Sequence, residues 1–89
     1  MIAPDTELRN EDNALMFAIE ANEYYLASNV HMAYLNLNVA LTFALLIGNA
    51  AYGILNVAAK KLETEICNKT FACAPLFDVS ELMSALKKK

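Results

Sequence analysis

Tryptophan is absent from the 89 residues, and glycine, proline and cysteine occur only twice each. With so few chain breakers there is little room for irregular structure, and helix is the simplest expectation. Basic residues are scarce as well: seven Lys and Arg against ten Asp and Glu give a net charge of −3. That balance argues against a phosphate-neutralising surface, so nucleic acid is not an expected partner. The chain is too short for a multidomain enzyme with a separate substrate lobe. At 57% apolar and 19% charged residues it also lies well outside the disordered class.

The most informative absence is local. From Tyr24 to Ala59 there is no acid, lysine or arginine, and His31 is the one group in that stretch able to charge near neutral pH. The flanks have opposite signs. Residues 1–23 carry six acids against Arg9, and residues 60–89 carry six lysines against Glu63, Glu65, Asp78 and Glu81. A segment that faces water normally carries several charges, so this gap must be sheltered by something.

The pattern predicts a single helical domain over residues 1–89. An amphipathic helix is expected over about 6–28, capped by Asp5 or Thr6 after Pro4, with Glu7, Glu11 and Asp12 interacting favourably with its dipole. Leu8, Leu15, Ile19 and Leu26, with Ala18 beside them, are spaced as its apolar face. Ser28 or Asn29 can cap a second helix over about 30–47. Gly48-Asn49 reads as a C′ glycine followed by a new N-cap, opening a third helix over 50–67. Residues 68–77, which include Pro75, read as a loop. Asp78-Val-Ser-Glu81 is a capping box with Asp in the leading position, opening a short helix over 79–87. The fold class expected is therefore all-α: a small antiparallel bundle of three to four helices, completed by oligomerisation or by a partner.

On one continuous helix Ala33, Ala40, Ala44, Ala51 and Ala58 fall within about 40° of one line, and such a small-residue stripe permits close approach of two helices. His31, Asn38, Thr42, Asn49 and Asn56 fall near the opposite line. Residues 37–57 are long enough to cross a bilayer, with Lys60 and Lys61 just beyond, but Asn49 near the centre would lack water, so insertion of an isolated helix is marginal. In a soluble globule of this size, two terminal helices are too few to cover two uncharged ones.

The chemistry-bearing residues do not converge. Cys67 and Cys73 read as two free, partly buried thiols, since no secretory signal is visible that would point to an oxidising compartment. No metal site is expected: the single His is far from both cysteines, and neither Glu20 nor Glu23 begins an ExxH pair. Asn68-Lys69-Thr70 matches the glycosylation acceptor pattern but is read as coincidence. His31 reads as an interface or core histidine rather than a general base, and no phosphate loop or nucleophile elbow is present.

The sequence thus predicts a non-enzymatic interaction or assembly protein without catalytic residues, cofactor or metal: a homo-oligomer, small chaperone, adaptor or inhibitor acting through residues 24–59. The expected contact residues are Tyr24, Tyr25, His31, Tyr34, Asn38, Ala40, Ala44, Asn49, Ala51 and Tyr52. The partner is a protein or a second copy. A cytoplasmic location is expected, with a single-pass membrane protein spanning at 37–57 as the alternative.

Overall fold

The computed structural model describes residues 10–47, 50–72 and 74–87. They form four helices: α1 (Asn10–Leu26), α2 (Val30–Ile47), α3 (Ala50–Asn68) and α4 (Val79–Lys87). No strand occurs among the described residues. Packing joins α1 to α2, α2 to α3, α3 to α4 and α4 back to α1, so each helix occupies one corner of a closed four-helix ring. The expected caps at Asp5 and Thr6, the apolar position Leu8, the Gly48-Asn49 link and Cys73 lie outside the described residues.

Local chemistry sets the helix ends. At the end of α1 the Asn29 N–H donates to the Tyr24 carbonyl (2.8 Å) and the Ser28 N–H to the Tyr25 carbonyl (3.0 Å). This is the Schellman pair of bonds, and it requires a left-handed residue at Ser28, whose φ is 68°. The next residue starts α2, where the Asn29 side-chain Oδ1 accepts from the Met32 N–H (3.2 Å). One short link therefore ends one helix and begins another. The end of α3 repeats the device: Thr70 N–H to the Glu65 carbonyl (3.1 Å), Lys69 N–H to the Ile66 carbonyl (3.3 Å), and Lys69 at φ 56°. Asp78 caps α4, its carboxylate accepting from the Ser80 (2.9 Å) and Glu81 (3.3 Å) N–H groups.

The core differs from the expected amphipathic reading of α1. Leu26 is half exposed, and Leu15 and Ile19 are only partly covered. The buried side of α1 is instead Ala14, Ala18, Ala21, Asn22 and Tyr25. Facing it on α2 are Ala33, Asn36, Leu37, Ala40 and Ala44. Methyl-sized side chains on both helices let the two backbones approach closely, and dispersion between main chains replaces the interlocking of long side chains. Hydrophobic size, which singled out the leucines, is the wrong guide where backbone approach decides the contact. At the rim of this seam Phe17 and Phe43 stack, with ring centroids 6.0 Å apart and planes 8° from parallel.

Larger side chains fill the other half of the core: Leu55 and Leu62 of α3, Leu76 and Phe77 of the loop, and Leu82 and Leu86 of α4. Two buried polar residues of α1 secure the 69–78 segment. The Asn22 amide accepts from the Leu76 N–H (2.8 Å) and donates to the Phe77 carbonyl (3.4 Å). The Tyr25 hydroxyl donates to Glu65 and accepts from the Ala72 N–H (3.0 Å), and its ring meets Phe71 edge-on.

Candidate functional site

Helix α2 is the most apolar of the four and carries no Asp, Glu, Lys or Arg. With α1 on one side and α3 on the other, only five of its 18 residues are buried. The residues pointing away from the bundle are Leu35, Val39, Leu45 and Leu46, which are 46%, 37%, 61% and 66% exposed, together with His31 and Thr42. In an ordinary soluble bundle this sector would be charged. Its central positions, 35, 39, 42 and 46, follow a 4-3-4 spacing that keeps them on one line along the helix.

Three polar side chains of α2 are turned onto their own backbone. Asn36 donates to the Met32 carbonyl (2.8 Å), Asn38 to the Tyr34 carbonyl (3.0 Å) and the Thr42 hydroxyl to the Asn38 carbonyl (3.0 Å). Each bond returns four residues along the chain.

Beside this strip, the outer seam between the antiparallel helices α2 and α3 forms two open grooves. One, of about 320 Å³, lies between Asn38, Thr42 and Leu45 of α2 and Tyr52, Asn56 and Lys60 of α3. The other, of about 480 Å³, is lined by Val30, His31, Tyr34, Ile66, Cys67 and Phe71. Glu63 borders both. The Tyr34 hydroxyl donates to the Glu63 carboxylate across the seam (2.7 Å). That bond to an anionic acceptor holds the phenol proton and raises the Tyr34 pKa above its usual 10.0.

Four of the ten expected contact residues meet in these grooves: His31, Tyr34, Asn38 and Tyr52. Tyr24 is half-buried against the core, and Tyr25 is buried and committed to Glu65 and Ala72. Ala40, Ala44 and Ala51 have no exposed surface. They form the contacts between the chain's own helices, so a body meeting the folded chain would not touch them. Asn49 lies outside the described residues.

The 37–57 window is divided between α2 and α3, which lie side by side. The apolar stretch held by one helix is Val30–Ile47, with a mean hydropathy of 1.7. Cys67 is free and exposed rather than partly buried, and it shares a groove with His31. Among the described residues no group of three or more His, Cys, Asp and Glu could hold a metal ion.

Sequence reasoning missed Leu35, Val39, Leu45 and Leu46. For Leu35, Val39 and Leu46 the signal was a 4-3-4 spacing, completed by Thr42, opposite the line of Ala33, Ala40 and Ala44, hidden because large aliphatic residues are ordinarily assigned to the core.

The architecture defines the class: a small all-α protein whose described residues form four helices in a ring. Comparison with known proteins finds no matching family model, no matching curated protein and no matching solved structure.

Proposed function

We propose that the chain is a non-enzymatic interaction or assembly protein of the cytoplasm, acting through the outward side of α2 and the adjoining α2–α3 grooves. The carrying observation is the exposure of Leu35, Val39, Leu45 and Leu46 on a helix without charge. Covering four half-exposed aliphatic side chains is worth on the order of 4 kcal/mol before the costs of association. The grooves add polar groups that give direction to a contact: Tyr52 and Asn56 on the walls, Lys60 and Glu63 at the rim.

A bilayer reading draws on the length and hydropathy of α2. Against it stands α1, packed along α2 with Glu11, Asp12, Glu20 and Glu23 on it. Glu20, eight positions before the turn residue Ser28, lies alongside the middle of α2, between that turn and the Phe17–Phe43 stack. Taking the hairpin across a membrane would carry this exposed carboxylate to the midplane, at roughly 3 kcal/mol on the insertion scale.

The test is photo-cross-linking in the producing cell, with a benzoylphenylalanine at Val39 and, separately, at Met16 on the acidic side of α1. Protein adducts, to another chain or to a second copy, are expected from position 39 and not from position 16. Lipid adducts alone at position 39 would transfer the function to the bilayer. Equal silence at both positions would remove the interaction reading.

A further inference from the structure

We draw no further inference here: the strongest candidate, the outward apolar strip of α2 with its two adjoining α2–α3 grooves, belongs to the contact face already proposed, and with both Lys60 and Glu63 on its α3 flank nothing in the structure shows what covers it.

Discussion

The two sides of α2 reverse the usual order. Toward the bundle it presents Ala33, Asn36, Leu37, Ala40 and Ala44, and away from it Leu35, Val39, Leu45 and Leu46. Helix α4 follows the ordinary rule, with Leu82, Ala85 and Leu86 inside and Ser80, Glu81 and Ser84 outside. Both helices obey the same physics under different constraints. α4 is a short segment that must hold on by its large side chains. α2 lies against α1 at a spacing that admits only methyl-sized groups over most of its length, so its bulk is displaced to the far side. Side-chain size on α2 reports the distance to a neighbour, not the presence of water.

The sharpest challenge to this contrast is to enlarge the inner side. Ala40→Leu should force α1 and α2 apart and cost about 3 kcal/mol, read as a fall in the urea midpoint. Leu46→Gln on the outer side of the same helix should change the stability of the single chain by less than about 0.5 kcal/mol. Equal costs at the two positions would mean that backbone spacing does not sort these residues.

A smaller effect is expected where the larger-residue half of the core is tied to α1. Asn22→Ala removes two hydrogen bonds and leaves the buried Leu76 N–H without its acceptor, which should cost about 2 kcal/mol in thermal or urea unfolding. Near-wild-type stability would show that α4 and its loop are held by apolar packing alone.

The slightest effect belongs to the bond across the α2–α3 seam. Tyr34 should titrate above 10.0 because Glu63 accepts its proton, and Glu63→Gln should bring the ultraviolet titration back toward that value. The raised pKa means that the folded chain holds this proton more tightly than the unfolded one. The contribution to stability is therefore complete below pH 10.0 and declines as pH rises through the folded-state value. A Tyr34 titration that ignores the Glu63 change would place the carboxylate elsewhere in solution.

Much of the architecture was readable from the sequence because its signals are local. Scarce glycine and proline pointed to helices, Asn29 and Asp78 marked helix starts through their own side-chain bonds, and the charge-free stretch singled out the unusual helix. The misread parts depend on partners far along the chain. Nothing near Ala14, Ala18 and Ala21 states that they, rather than Leu15, Ile19 and Leu26, meet α2. Ser28 and Lys69 adopt left-handed conformations that glycine would have announced and these residues do not. The shared groove of His31 and Cys67 arises from the antiparallel return of α3, which no spacing motif encodes. The alanine line was recognised as a place of close approach, but whether the approaching helix belongs to this chain or another is a question of topology.

Two of the back-turned side chains of α2 have a consequence for any body that covers it. Asn38 and Thr42, which line the groove toward α3, hold carbonyls one turn behind them, so part of their hydrogen-bonding capacity is met without the solvent. Dehydrating this flank therefore forfeits fewer water contacts than an amide-bearing helix would ordinarily lose. The penalty that usually keeps asparagine out of dry contacts is thereby reduced before any encounter takes place.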